Sequence, residues 1–158
     1  MNNVCGVILA AGKGLRLKSD IPKYRHKIGG ITLLDNCILS LQESGIKQLY
    51  IVLGPGEKSR FKDSKNIIFI EQIKRAGTAD AFLTALKAIP DRHKQILLLY
   101  VDVALIKGAT VKNLLNRHLR EKSYISVLTM DVENPTDYGR IIKDALGRLK
   151  SIKEEDLL

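Results

Sequence analysis

The run Val4-Cys-Gly-Val-Ile-Leu9 is apolar and rich in β-branched residues, and it stops abruptly at Ala10, Ala11 and Gly12 before a cluster of cations. Such a run, closed by small residues, is the pattern of a buried strand feeding a loop. Gly12 and Gly14 carry no Cβ, so their backbone can adopt φ > 0 and bring N–H groups against a bound anion. Around them stand Lys13, Arg16, Lys18, Lys23, Arg25 and Lys27, against the single acid Asp20. A strand ending in a small, positively charged loop is therefore a phosphate candidate. The glycines alone describe an ordinary solvated loop equally well. No G-x-x-x-x-G-K-[ST] spacing is present, and Leu17 stands where a dinucleotide fingerprint needs its third glycine.

At 158 residues the chain is one domain's worth, long enough to bury roughly 70% of its unfolded surface. Hydrophobic residues make up 45% and aromatics 5%, with no Trp, so the core has to be built from Ile, Leu, Val and Ala, as in helix-on-sheet α/β proteins. No apolar run approaches the ~20 residues that span a bilayer, and no secretory leader pattern opens the chain. The expectation is a cytoplasmic protein without membrane association. Cys5 in the first strand and Cys37 on an apolar helix face read as buried thiols. The net charge of +9 raises nucleic-acid binding as a reading. The cations, however, are spread evenly along the chain, with no basic stripe, helix-turn-helix pattern or zinc spacing, so it stays a minor alternative.

Leu34, Cys37, Ile38 and Leu41 recur at helical spacing within Thr32 to Ser44, and Gly45 ends the pattern. Gln48 to Leu53 follows as a strand closed by Gly54-Pro-Gly56, making a strand–helix–strand crossover of the kind that is parallel and right-handed. Glu57 to Lys65 is polar and reads as a short helix or loop over the sheet edge. Asn66 to Glu71 is a third strand. Thr78 then reads as the N-cap of a helix with Ala79, Phe82, Leu83 and Leu86 on its apolar face and Asp80 in its first turn. Gln95 to Val101 is hydrophobic on both faces and reads as a central strand. Asp102, at its carboxyl end, lies where open α/β sheets bind ligands and is placed to hold a cation, or else acts as a capping aspartate. Thr110 to Glu121 is a helix with His118 near its end, Tyr124 to Val132 a further strand, and Arg148 to Ile152 the last one. Asn134, Pro135 and Gly139 supply turn chemistry between them.

The run L-A-A-G-K-G-x-R-x-K-S-D-x-P-K-x-x-H-K, at Leu9 to Lys27, resembles the signature of sugar-phosphate nucleotidyltransferases. It is most similar to that of the uridylyltransferase domain of bifunctional bacterial N-acetylglucosamine-1-phosphate uridylyltransferases. The resemblance implies a Rossmann-like three-layer α/β/α fold with a mostly parallel sheet, of the nucleotide-diphospho-sugar transferase type. Residues 1–132 would form its nucleotide-binding core and 133–158 the start of a small sugar-binding β lobe, within one domain spanning 1–158. It further implies that Leu9, Ala10, Ala11, Gly12, Lys13 and Gly14 bind the nucleotide and that Arg16 and Lys23 are catalytic. Gln72, Gly77 and Thr78, in Q-x-x-x-x-G-T, would contact the base. Gly139, in N-P-T-x-Y-G-R-I, and Glu154 would contact the sugar.

The family's Y-G-D-V-P-L, whose aspartate holds Mg²⁺, aligns with Tyr100-Val-Asp-Val-Ala-Leu105. The aspartate is retained, while Val101 and Ala104 replace glycine and proline. The activity implied is transfer of a nucleotidyl group from a nucleoside triphosphate, UTP for the family member it resembles, to N-acetylglucosamine 1-phosphate with release of pyrophosphate. Related enzymes, including molybdenum-cofactor guanylyltransferases, share the opening loop and differ in the base pocket, so the loop does not fix the base. In the resembled family the domain extends further, completing the sugar lobe and adding an asparagine as second Mg²⁺ ligand, and a left-handed β-helix carries acetyl transfer. The 158 residues lack those parts, and a branched side chain at Val101 would crowd the nucleotide or the metal shell. A catalytically weak nucleotide-binding remnant or subunit is therefore the second reading.

Overall fold

A computed structural model describes residues 3–74 and 76–153. Their elements are β1 (Val4–Ala10), β2 (Lys27–Ile28), β3 (Ile31–Thr32), α1 (Leu33–Glu43), β4 (Gln48–Leu53) and β5 (Ile67–Glu71), then α2 (Thr78–Leu86), β6 (Gln95–Tyr100), α3 (Gly108–Arg120), β7 (Arg140–Lys143) and β8 (Leu149–Lys153). The chain divides into two compact units, Met1–Lys122 and Ser123–Leu158.

The first unit is built on a four-stranded parallel sheet in the order β5-β4-β1-β6. β1 is buried along its whole length and alternates between two cores. Val4, Ile8 and Ala10 join Leu34, Cys37 and Leu41 of α1 and Val111 and Leu115 of α3 on one face. Cys5, Val7 and Leu9 join Ala81 and Ala85 of α2 on the other. This is the three-layer α/β/α arrangement the sequence implies. Ile8, Leu41, Ile46, Leu49, Ile51 and Leu53 are fully buried, and each such side chain stabilises the fold by about 1.5–3 kcal/mol. Gly6 belongs to this packing. A Cβ there would lie 2.8 Å from Leu49 Cδ2 and 2.9 Å from Leu41 Cδ1, so glycine lets α1 press onto the sheet.

Local signals account for the helix ends. Thr32 caps α1, its Oγ1 accepting from the Asp35 N–H at 3.0 Å and donating to the Asp35 carboxylate at 2.6 Å. Gly45, at φ +93°, ends the helix. Gly29 and Gly30, both at positive φ, turn the small β2–β3 hairpin, whose Ile-Gly-Gly-Ile pattern is a two-residue hairpin signal. Phe61 stacks on Phe69 of β5 at 4.5 Å, holding the polar 57–65 segment against the sheet.

Three expectations are corrected. β6 is an edge of the sheet among the described residues, with Leu98 37% and Tyr100 46% exposed. A run apolar on both faces marks a strand but not its neighbours. α2 has Gly77 rather than Thr78 at its N-cap, and no side chain caps it. Gly77 sits at φ +96°, ψ −177°, a conformation that turns the chain into the helix and that a residue with a Cβ resists. Residues 124–132 carry no strand. The stretch is rich in apolar residues, but no ladder partner is present among the described residues, and Tyr124, Ile125 and Met130 are exposed.

The second unit contains an antiparallel β7–β8 hairpin with a bulge at Ile142/Lys143. Its turn is organised by Asp144, whose carboxylate accepts from the Leu146 and Arg148 N–H groups and from Arg148 Nε. Those bonds, the Arg148 ones foremost, hold the Asp144 carboxyl below its usual value. Upstream, Asn134 Oδ1 accepts from the N–H and hydroxyl of Thr136, the turn expected of Asn-Pro.

Candidate nucleotide site at the carboxyl edge of the sheet

From β1 the chain winds outward through β4 to β5 and then returns to place β6 on β1's other side. That reversal leaves a crevice beyond the carboxyl ends of β1 and β6, the position at which open α/β sheets bind ligands. A cleft of about 400 Å³ opens there. Leu9, Ala11, Gly12, Lys13 and Lys23 line it from the β1 side, Gln72, Gly77, Thr78 and Ala81 from the loop into α2, and Tyr100, Val101 and Asp102 from the end of β6. Among the described residues the structure thus gathers most of the sequence-derived site residues around one cavity. Val101, expected to crowd the ligand, is among them, and Ala81 and Tyr100 join without having been singled out, because an alanine on a helix face and the last residue of an apolar strand carry no chemical signal.

Lys23 Nζ lies 2.6 Å from Asp102 Oδ2, joining the two sides of the cleft across 79 positions of sequence. Lys23 stands in a single 3₁₀ turn, Lys23–Arg25, whose Tyr24 is buried. The Tyr24 hydroxyl donates to Glu57, and its ring lies 5.7 Å from that of Phe61. Burial first, and Glu57 second, push the Tyr24 hydroxyl up to about 12, so it stays protonated and keeps donating. The anchor under Lys23 is therefore part of the core.

Glycine acts differently at the two loop positions. Gly14 is at φ +64°, as expected, and a Cβ there would meet Lys23 Cβ at 3.1 Å. Gly12 is not in the positive-φ region, and a Cβ on it would meet nothing within 4 Å. Its lack of a side chain keeps the cleft wall low.

Gln72 is 3% exposed, and its amide is oriented by its partners. Nε2 donates to Gly77 O at 3.2 Å and to Asp80 Oδ2 at 2.7 Å. Both partners are acceptors, so the NH₂ assignment is fixed and the carbonyl oxygen is the amide's acceptor.

Not every named residue lines the cleft. Ala10 is buried in the α1/α3 core. Gly14 and Arg16 lie in the loop outside the lining, Arg16 exposed. Gly139 belongs to the second unit, just before β7. Glu154 lies outside the described residues. The two thiols are inert: burial pushes Cys5 up to about 11 and Cys37 up to about 12. Cys37 Sγ faces the main-chain oxygens of Tyr100 and Val101, at 3.8 and 3.6 Å, supporting the end of β6.

A family model for the MobA-like NTP transferase domain matches residues 6–156. The chain belongs to this family. It is 39% identical over 158 residues to the bifunctional protein GlmU of Geotalea uraniireducens, an alignment that covers 98% of this chain and 35% of that protein. The chain thus spans about a third of the length of the curated relatives it matches. Among solved structures, Rv0371c of Mycobacterium tuberculosis superposes with a TM-score of 0.59 at 25% identity, over 73% of this chain and 60% of that one. Its manganese complex gives 0.58 at 22%, over 72% and 58%, which bears on the fold alone.

Within this MobA-like domain the replacements at Val101 and Ala104 are each 3% exposed and packed into the α1/α3 core. Val101 is thus part of that core and also lines the cleft.

Proposed function

We propose that this domain transfers a nucleotidyl group from a nucleoside triphosphate to a sugar 1-phosphate, with UTP and N-acetylglucosamine 1-phosphate as the substrates. An oxygen of the sugar phosphate attacks the α-phosphorus, the bond from that phosphorus to the bridging oxygen of the β-phosphate breaks, and pyrophosphate leaves. No proton has to change hands. The demand on the protein is to hold two polyanions in line and to offset their charge.

The observation that carries this reading is the ion pair of Lys23 with Asp102 at the lip of a cleft walled by Gly12, Lys13 and the N-terminus of α2. In this assignment Gly12, Lys13, Gly14 and Arg16 receive the triphosphate, and Lys23 offsets charge at the α-phosphate. Gln72, Gly77 and Thr78 receive the base. The Gln72 carbonyl is an acceptor, which suits a base presenting a ring N–H, as uracil and guanine do. Gly139 and Glu154 are assigned to the sugar, with the second unit as part of the sugar lobe.

The donor set suits a divalent cation shared with substrate phosphates. Asp102 is a half-exposed carboxylate at the cleft, and no cluster of three His, Cys, Asp or Glu side chains occurs among the described residues. Mg²⁺ is commonly held by one or two carboxylates together with phosphate oxygens and water. When bound at Asp102, it would neutralise phosphate charge and polarise the reacting phosphate.

A single carboxylate among the described lining residues also favours the second reading, nucleotide binding with weak turnover or none. The test is pyrophosphate release from UTP, Mg²⁺ and N-acetylglucosamine 1-phosphate, beside UTP binding by calorimetry. Release in step with the sugar phosphate is the expected result. Binding without release moves the conclusion to the second reading, and absence of both removes the nucleotide site.

A further inference from the structure

We propose that the Lys23 ammonium is a stand-in for the divalent cation. It holds the Asp102 carboxylate until nucleotide phosphates draw it away, so that cation binding depends on nucleotide. The proposal rests on the assignment of Asp102 as the cation ligand made above.

Lys23 Nζ sits 2.6 Å from Asp102 Oδ2, on one of the two oxygens this carboxylate can offer a cation. A carboxylate has two acceptor oxygens, so a cation can approach the other one, but two positive centres on the same carboxylate repel each other. A free divalent cation therefore competes with the ammonium for this carboxylate, and no other acidic side chain among the described residues lines the cleft to receive it.

The geometry lets the exchange happen by movement of one side chain. The main chain at Lys23 is fixed from below by buried Tyr24, through its hydroxyl bond to Glu57 and its contact with Phe61. The Lys23 stem packs beside Gly14, where a Cβ would meet it at 3.1 Å. The ion-paired ends are different, since the Lys23 side chain is 27% and the Asp102 side chain 50% exposed. A flexible four-carbon stem on a fixed backbone can swing its charge from the carboxylate to a phosphate while everything beneath it stays in place.

When a triphosphate enters beside Lys13 and Gly12, the ammonium gains a second anionic partner in the cleft, and Asp102 is released to the cation. Nucleotide and cation then strengthen each other's binding by the same factor, as linkage requires. The pair also keeps the cleft from filling with free divalent cation.

The experiment measures Mn²⁺ affinity by electron paramagnetic resonance on the full chain, with and without UTP, taking the Mn²⁺–UTP complex alone as the blank. Wild type should bind free Mn²⁺ weakly and gain affinity with UTP. Lys23→Met should bind free Mn²⁺ about tenfold more tightly and lose about as much of the gain from UTP. Lys23→Arg, which keeps the charge, should stay near wild type without nucleotide. Asp102→Asn should lose Mn²⁺ binding with and without UTP beyond the blank, and thermal melts confirm that each variant is folded. If Lys23→Met binds free Mn²⁺ no better than wild type while UTP still enhances binding, the stand-in role is overturned and the nucleotide site survives. If Asp102→Asn matches wild type, or no form binds Mn²⁺ with or without UTP, the cation assignment fails and the stand-in role with it.

Discussion

β1 and β6 lie side by side and read almost alike as apolar runs, yet they have different surroundings. β1, with neighbours on both sides, is buried at all seven positions. β6, at the sheet's edge among the described residues, leaves Leu98 and Tyr100 well exposed and is supported at its end by Cys37. Each contributes one half of the site. The interior strand delivers a glycine loop from a fixed position, and the edge strand delivers a carboxylate with freedom to exchange partners. In the proposed assignment the rigid side takes the phosphates and the adaptable side the cation, as a cleft that takes up a polyanion and its counter-ion together needs.

The comparison breaks most readily at the two cores. Ile8→Ala, in β1, is expected to cost about 2–5 kcal/mol because the surrounding α1/α3 core cannot close over the cavity. Leu98→Ala, in β6, should cost under about 1 kcal/mol, since its side chain is already partly in water. Urea unfolding of both variants checks this. Equal losses would mean that the two strands are equally buried in solution.

A smaller effect separates the cations of the loop. Lys23→Ala is expected to weaken UTP binding by about tenfold, the loss of one charge-assisted contact to phosphate. Arg16→Ala should weaken it by only a few-fold, because Arg16 lies outside the cleft lining. Calorimetric titration with UTP and Mg²⁺ ranks the two. A larger loss at Arg16 would place the triphosphate over the loop instead of within the cleft.

The smallest effect concerns the face opposite α1. His93 lies edge-on to Tyr50, with ring centroids 6.3 Å apart, and both its ring nitrogens are buried without a hydrogen-bond partner. Burial, and then the charge of Arg92, lower its pKa. The unfolded chain therefore takes up a proton there at higher pH than the folded one. The stability that the neutral ring contributes is present in full above the ordinary histidine value and is lost as the pH falls through it towards the lowered one. The melting temperature should drop between pH 7 and pH 5, and His93→Phe should flatten that dependence. An unchanged slope in the variant would assign the loss to other groups.

What could be read from the sequence was whatever is written locally. Thr32 and Gly45 state the limits of α1, and the Val4 run states β1. The loop from Gly12 to Lys23 and the aspartate after β6 name the two halves of the site through a family resemblance. What could not be read depends on partners distant in sequence. The edge position of β6 is a matter of which strand lies beside it. The apolar stretch at 124–132 promised a strand that has no ladder to join among the described residues. Thr78 is a good capping residue in isolation, but the φ of Gly77 and the Gln72 bond to its carbonyl set the helix start instead. The pairing of Lys23 with Asp102 arises only when β1 and β6 come together.

The most direct measurement is the map of amide chemical-shift changes on titrating the protein with UTP and Mg²⁺. The expected result is a set of changes concentrated at Gly12, Lys13, Gly77, Thr78 and Asp102, the residues around the cleft between β1, α2 and β6. Saturable UTP binding that leaves those five amides unmoved would contradict the assignment of the cleft as the nucleotide site.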